Sequence, residues 1–334
     1  MTRGGLAIAV AVASTTVAAV VTGALTIHFR RRRNAPEWKV VTRHLEKALA
    51  KKGLDIVAPL RLAWYNDIAP ESAKIAGVSS DVASGYGLVV LVGNSRALWP
   101  KFCDAHNADR SIADAADPLD TYVAREVERA VQSCRDDVFD SIGASSPHRV
   151  FYAHETKPGR LVAIQRMAHV AGVAHLDERC HLSIHPVLGP WLALRAVVCF
   201  DDIVGPTDAD KPTPPSNPLA SDAAARQRVD TAFDAALAGY ENPDGVDEAS
   251  QWKRWVGVRD AVAPGHKRRY HPDQVLYHYN ANGHGHGGGS GGSGDGRRKS
   301  GEGRGGGGGG GGDDGGVTMS ERQRIRSALR GFER

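Results

Sequence analysis

Apolar positions along this chain fall into runs of two periods. From 37 to 52 they recur at helical spacing: Trp38, Val41, Leu45, Ala48 and Leu49 share one face, and Gly53 ends the run. Residues 54–65 read as extended and apolar, ending in Ala63-Trp64-Tyr65-Asn66, and residues 86–93 (YGLVVLVG) read as a buried strand. Asp117-Pro118 supplies an N-cap and a first-position proline for a helix that turns Leu119, Val123, Val127 and Val131 inward. Residues 150–153 form a short strand. Residues 165–176 (QRMAHVAGVAHL) predict a small-residue helix with His169 and Gly172 one turn apart. The run 182–200 (LSIHPVLGPWLALRAVVCF) predicts two apolar strands joined by a short Gly-Pro connection, and 223–240 a further helix. Strand and helix alternate irregularly. No GxGxxG follows a strand, and no GxxxxGK[ST] occurs. The pattern predicts an α+β body with a largely antiparallel sheet.

Outside that body the pattern changes. Residues 6–29 contain no Asp, Glu, Lys or Arg, and Arg30, Arg31, Arg32 and Arg33 follow at once. As a helix the run spans about 36 Å, enough for a bilayer core. The basic flank at 30–36 then orients the bulk of the protein to the cytosol, and it disfavours the alternative of a cleaved secretory signal. The expectation is a membrane anchor in the endoplasmic reticulum or the mitochondrial outer membrane, ahead of a main domain at 37–280. Residues 205–218 hold five prolines and read as a surface connection. In 283–316, 21 of 34 residues are glycine, the composition of a disordered linker. Residues 317–334 read as a basic terminal helix that aligns Ile325, Leu329 and Phe332.

The chain has 334 residues, 41% of them hydrophobic, enough for a substantial core. Its formal charge of +4 is modest, and the basic excess lies at the two ends, which argues against nucleic acid as a partner. Cys103, Cys134, Cys180 and Cys199 form no CxxC pair. They read as free thiols, with neither a disulfide framework nor a zinc site.

Arg195 lies within an apolar strand and needs an anion, a carboxylate or a ligand to offset its desolvation. Arg259 is a second candidate, although pairing with Asp260 is as good an account of it. Two arginines on one pocket suit a ligand with two carboxylates. His169-Val170-Ala171-Gly172 is an HxxG, but Met167 stands where a metal-ligating histidine would want an aspartate, so hydrogen bonding or packing suits His169 better than ligation. His185-Pro186 reads as turn chemistry. Trp64, Tyr65, Trp252 and Trp255 could stack on a planar ligand, though core packing is the commoner role. His284 and His286 stand in the glycine tract, which offers no preorganised metal site.

In order along the chain stand LAWYND at 62–67, DPLD at 117–120, QRMAHVAGVAHL at 165–176, IHPVLGPWLALRAVV at 184–198, and RDAVAP with the following YHPDQ at 259–274. This ordered set resembles the methylmalonic aciduria and homocystinuria type C protein family, the cyanocobalamin reductases and alkylcobalamin dealkylases. The resemblance implies a flavin reductase or nitroreductase-like antiparallel sheet flanked by helices, here preceded by one transmembrane helix. It implies removal of the upper axial ligand of base-off cobalamin. Cyanocobalamin would be decyanated reductively, with electrons from NADPH through FMN or FAD. Alkylcobalamins would be dealkylated by glutathione. By position, the resemblance carries glutathione binding to Arg195 and Arg259. It carries cobalamin contacts to Val162, Ala163, Ile164, Gln165, His169, Gly172, Leu176, Asp177, Glu178, Ser183 and Leu194. A downstream cobalamin-trafficking protein and a homodimer are the protein partners it admits. A cobalamin carrier without turnover, and a flavin reductase indifferent to corrins, remain as other readings.

Overall fold

A computed structural model of the chain describes residues 37–77, 85–139, 147–241 and 248–279. Its centre is a four-stranded sheet of β1 (Ile56–Arg61), β2 (Gly87–Asn94), β3 (His148–Tyr152) and β6 (Ala193–Val204), ordered β1-β2-β6-β3, with every pairing antiparallel. Val90 and Val150 flank Val198 from the two sides and fix the register. β2 and β6 are rich in Val and Leu through their middles, and their polar side chains stand toward the ends: Asn94 in β2, and Arg195, Asp201 and Asp202 either side of the apolar run in β6. The middles do not alternate between apolar and polar, because both faces of the sheet are covered.

Alternation instead sorts the apolar residues between two cores. Leu88, Val90, Val92, Ala196, Val198 and Phe200 face one way, against helix α1 (Glu37–Ala50) and helix α5 (Pro118–Cys134). Ile56, Ala58, Leu60, Val89, Leu91, Val197 and Cys199 face the other way, against the one-turn helix α2 (Leu62–Asn66) and helix α6 (Ile164–Val170). The first core is completed by α3 (Leu98–Ala108) and the single turn α4 (Arg110–Ala113). A small hairpin of β4 (His175–Asp177) and β5 (Leu182–Ile184) packs with α7 (Ala223–Glu241) and α8 (Glu248–Val262) around Val229, Phe233 and Val258. Helix α9 (Pro272–Tyr279) closes a last cluster of Trp191, Val256, Tyr270 and Val275.

Local chemistry explains most boundaries. α1 stops at Gly53 (φ +81°): its N–H reaches the Ala50 carbonyl and that of Leu54 reaches Leu49, the hydrogen-bond pair of a Schellman motif. The Asp117 side chain caps α5 by accepting from the Asp120 N–H at 3.2 Å, with Pro118 at the first position. All four cysteines are free thiols.

Several expectations need correction. Extended chain does not reach Tyr65; it turns helical at Leu62, which lets Tyr65 bury fully. The helix at 165–176 is shorter than its pattern, because Gly172 (φ +72°) ends it by another Schellman pair, Gly172 to His169 and Val173 to Ala168. The two strands expected in 182–200 both form, in different sheets. β5 pairs with β4, while β6 joins the main sheet, and His185 and Gly189 close a tight turn between them. Among the described residues, no helix is long and apolar enough to cross a membrane. That finding overturns the membrane-anchored reading, and with it the transmembrane helix ahead of the fold, the membrane as a partner and the assignment to the endoplasmic reticulum or mitochondrial outer membrane. Residues 6–29, on which that reading stood, lie outside the described residues. So do the basic flank at 30–36, the glycine tract with His284 and His286, and the terminal segment at 317–334.

Candidate functional site

Arg195 stands at a fault in the sheet. Val92 pairs with Ala196 but Gly93 pairs with Leu194, so Arg195 is the extra residue of a β-bulge in β6. A bulge re-aims a side chain that regular alternation would bury. Gly93 makes it possible, since a Cβ there would lie 2.7 Å from the Ala193 carbonyl oxygen. Arg195 is therefore half-buried near the start of its strand, not enclosed in the middle of it. Its Nε donates to Asn94 Oδ1 at 2.7 Å, and its Nη1 lies 3.9 Å from Asp120 Oδ1. Asn94 is fully buried and donates its own amide to the Ser95 carbonyl at 2.8 Å, which leaves Oδ1 facing Arg195.

Arg259 approaches from α8. Its guanidinium donates to the carbonyls of Pro190 and Leu192, and lies 6.0 Å from the Trp191 ring centroid and 5.9 Å from that of Tyr279. Asp260 instead pairs with Arg269, at 2.8 Å. The expected local pair of Arg259 with Asp260 is thus replaced by backbone contacts. Both Arg195 and Arg259 act on the phenol of Tyr270, which is buried, and whose oxygen has no hydrogen-bond partner among the described residues. Burial dominates there and pushes its pKa up to about 12, with the two arginines opposing. Tyr270 packs edge-on to Trp191, with ring centroids 5.4 Å apart. Trp191 Nε1 is likewise buried without a partner among the described residues.

The second group of expected residues lies around α6. Tyr65 sets its start: the phenol donates to the Ala73 carbonyl at 2.6 Å and accepts from the Ala163 N–H at 2.8 Å. Val162 is buried, while Ala163 and Ile164 are half-buried and, with Leu188 and Leu194, rim the second core. Leu161 and Val187 beside them are exposed. Gln165 Nε2 donates to the His181 carbonyl at 2.7 Å. His169 Nδ1 accepts from the Leu176 N–H at 3.4 Å, and burial, helped by His175, holds its pKa below the usual range. The ring is a neutral acceptor that ties α6 to β4. Gly172 is a helix stop that also leaves room for Pro212, whose Cβ would be 2.8 Å from an added Cβ.

Asp177 and Glu178 differ from each other. Glu178 is exposed, 3.7 Å from Arg166. Asp177 is buried, accepts from Cys180 N at 3.0 Å and Cys180 Sγ at 3.1 Å, and pairs with Arg226, which also holds Asp230 at 2.6 Å. Burial raises its pKa, but those hydrogen bonds together outweigh burial and leave the carboxyl below its ordinary range. Leu176 and Ser183 pair across the hairpin, and both are buried. Ser183 Oγ has no partner among the described residues.

The structure thus gathers the expected residues into two neighbouring groups, Arg195 with Arg259 around Tyr270, and the α6 rim with the β4–β5 hairpin. Trp64 and Tyr65 are buried, and Trp252 and Trp255 are half-buried against other core residues, as packing demands. His185 Nδ1 accepts from Val187 N at 2.9 Å and Leu188 N at 3.2 Å, which is turn chemistry. Sequence reasoning passed over Asn94, Asp120 and Tyr270 as site residues. An amide closing the buried strand at 87–94, and a second aspartate three residues after a capping one, were the available signals.

The cyanocobalamin reductase / alkylcobalamin dealkylase of Homo sapiens is 24% identical over 255 residues, covering 72% of this chain and 78% of that protein. This chain is similar to the cyanocobalamin reductase / alkylcobalamin dealkylase proteins. The Bos taurus protein of that name is 24% identical over 246 residues, covering 70% of this chain and 75% of its own length. The Danio rerio protein is 23% identical over 176 residues, 48% of this chain and 64% of its own. No family model matches. Among solved structures, that of a C. elegans B12-trafficking protein CblC, described as a human MMACHC homologue, superposes with a TM-score of 0.53 at 17% identity. It covers 72% of this chain and 91% of that chain, and the likeness is one of fold. The resemblance drawn from the ordered motifs is the one these comparisons find.

Proposed function

We propose that this protein processes cobalamin by removing its upper axial ligand, with the corrin held base-off against the α6 rim and the β4–β5 hairpin. The observation that carries the reading is the Arg195 bulge. One strand of the central sheet is distorted to re-aim a guanidinium that, with a second, acts on the buried phenol of Tyr270, a group without a partner among the described residues. Half-buried Ala163, Ile164, Leu188 and Leu194 offer the apolar wall that a corrin ring needs, and buried Ser183 offers a hydroxyl. Arg195 and Arg259 would hold the carboxylates of glutathione, and Tyr270 could donate to one of them. The glutathione thiolate attacks the alkyl carbon of an alkylcobalamin, and its electron pair forms the new S–C bond. The former Co–C pair stays on cobalt as cob(I)alamin.

Decyanation is a reduction at cobalt that releases the upper ligand as cyanide, and a bound FMN or FAD would supply its electrons from NADPH. The polar side chains Tyr65 and Gln165 beside the rim are already spent on backbone groups, so a flavin edge would compete with them. Loss of the lower nitrogen donor in the base-off form lowers electron density at cobalt and eases either route.

The test is an ultraviolet–visible titration of the full chain with cyanocobalamin and methylcobalamin, followed by addition of glutathione under anaerobic conditions. The expected results are a base-off shift on binding and conversion of methylcobalamin to cob(I)alamin. Absence of any spectral shift rejects the binding claim. A second reading, a carrier without turnover, is favoured by the backbone carbonyls that already engage Arg259. A base-off shift with no product in glutathione or in NADPH with flavin selects it.

A further inference from the structure

Asp120 is shared between two cations. Its Oδ2 lies 2.9 Å from His154 Nδ1, while its Oδ1 lies 3.9 Å from Arg195 Nη1, beyond a good hydrogen bond. The carboxylate is thus committed to the imidazole and only leans on the guanidinium. Arg195 is anchored along its inner edge by Asn94, at 2.7 Å, so its outer nitrogens depend on how strongly Asp120 draws them. We propose that His154, acting through Asp120, sets how firmly Arg195 holds a carboxylate-bearing ligand. The inference rests on the reading of Arg195 as a glutathione-binding residue and deepens it by naming a positioning residue and a source of pH dependence.

The surroundings of both groups support a charge relay. His154 lies parallel to the Tyr152 ring, 5.5 Å between centroids, and its side chain is 35% exposed, so it exchanges protons with solvent. Asp120 and Asp117 face it from α5, and Glu155 adjoins it. The hydrogen bond to Asp120 raises its pKa most, burial opposes, and the remaining carboxylates add to the rise. Arg195 faces Asp120, and it also acts on the phenols of Tyr270, just ahead of α9, and of Tyr277 within it. With His154 protonated, Asp120 is neutralised by the imidazolium, and Arg195 presents its full charge to a ligand. As pH rises through the raised His154 pKa, the imidazolium is lost. Asp120 then draws on Arg195, and the site loses one positive charge, so affinity for a carboxylate falls.

The experiment follows binding of S-methylglutathione to the full chain from about pH 6 to about pH 8.5, a window that leaves carboxylates ionised. The capped thiol removes its own titration, and any slope from the ligand amine persists in the variants. Wild-type affinity should fall by roughly fivefold, the weak end for linked sites, because His154 is partly open to solvent. His154→Gln keeps a donor for Asp120 without the charge, and should flatten that component of the profile. Independently of any ligand, the His154 imidazole followed by NMR should titrate at higher pH in Arg195→Gln, since Asp120 then has one cation fewer. Equal pH profiles for wild type and His154→Gln, or a His154 titration unmoved by Arg195→Gln, overturn the relay alone. Failure of the wild type to bind S-methylglutathione at every pH overturns the glutathione reading, and the relay with it.

Discussion

The two faces of the central sheet are finished differently. Under α1 and α5, Leu88, Val90, Val92, Val198 and Phe200 are covered almost completely, and the helices contribute Val41, Leu45, Val123 and Val127 in return. On the opposite face the rim residues Ala163, Ile164, Leu188 and Leu194 are covered only in part. Beside that rim, buried Ser183 Oγ goes without a partner among the described residues, while the bulge brings Arg195 to Asp120 of α5, on the side of the first core. Native proteins leave few such atoms, because each costs about 1–3 kcal/mol when desolvated and unpaired. Both cores keep partly covered apolar residues at their edges, Trp38, Val57, Trp99 and Tyr277 among them on the first, and Thr42 Oγ1 of α1 is buried without a partner among the described residues. The faces differ in what lies across them: two long helices, α1 and α5, cover the first, while only the short α2 and α6 cover the second. Under the proposed function, that thinner cover is where a bound molecule would complete the surface.

The sharpest way to break this contrast is to damage the face under the two long helices. Phe200→Ala removes a fully buried ring that packs edge-on to Phe139 at 5.7 Å, and should cost about 3–5 kcal/mol in urea unfolding. If that face is only scaffold, cobalamin affinity of the still-folded fraction stays unchanged; a selective loss of affinity would erase the distinction. Next in size is the strut that fixes the hairpin. Asp177→Asn breaks a buried ion pair and should cost about 3 kcal/mol, the low end of such changes, because Arg226 keeps Asp230. The Asp177 carboxyl is held below its ordinary range when folded, so its contribution is complete above the unfolded value of about 3.9 and is lost as pH falls through the lower folded one. Wild type and variant should therefore converge in acid; a gap that persists at the lowest pH contradicts the assignment. Smaller again is Gly172→Ala, at about 1–2 kcal/mol for the left-handed backbone, with contact against Pro212 added.

How much of this was legible beforehand depends on whether the cause was local. The α1 stop at Gly53 and the Asp117-Pro118 start of α5 could be read directly, because caps act over a few residues. The helix at 165–176 was drawn too long, because its small residues continue the helical pattern past Gly172, and only the positive φ breaks it. The two strands of 182–200 were legible from their apolar runs, but their partners were not, because strand partners are set across the chain. β4 captured β5, and the turn at His185 freed β6 for the sheet. Arg195 stood out in the sequence as a charge among apolar neighbours, yet the bulge that explains it requires Gly93 on another strand. Asp120 and His154 lay beyond reach for the same reason, since their meeting depends on how α5 packs beside β3.

The smallest expected effect is also the one that speaks most directly to the thinly covered face. Ser183 is 8% exposed on β5, opposite Leu176, and its hydroxyl finds no partner among the described residues. A hydroxyl kept there for the fold would have been paired, because leaving it bare costs more than an apolar side chain of similar size. Ser183→Ala should therefore leave unfolding free energy within about 0.5 kcal/mol of wild type, or raise it. If the hydroxyl is retained for a ligand, the same variant should weaken cobalamin binding by roughly threefold to tenfold, the worth of one hydrogen bond of about 1 kcal/mol. Measured together by urea unfolding and spectral titration, the two quantities should move apart. Loss of stability with unchanged affinity would make Ser183 an ordinary core residue with no part in ligand binding.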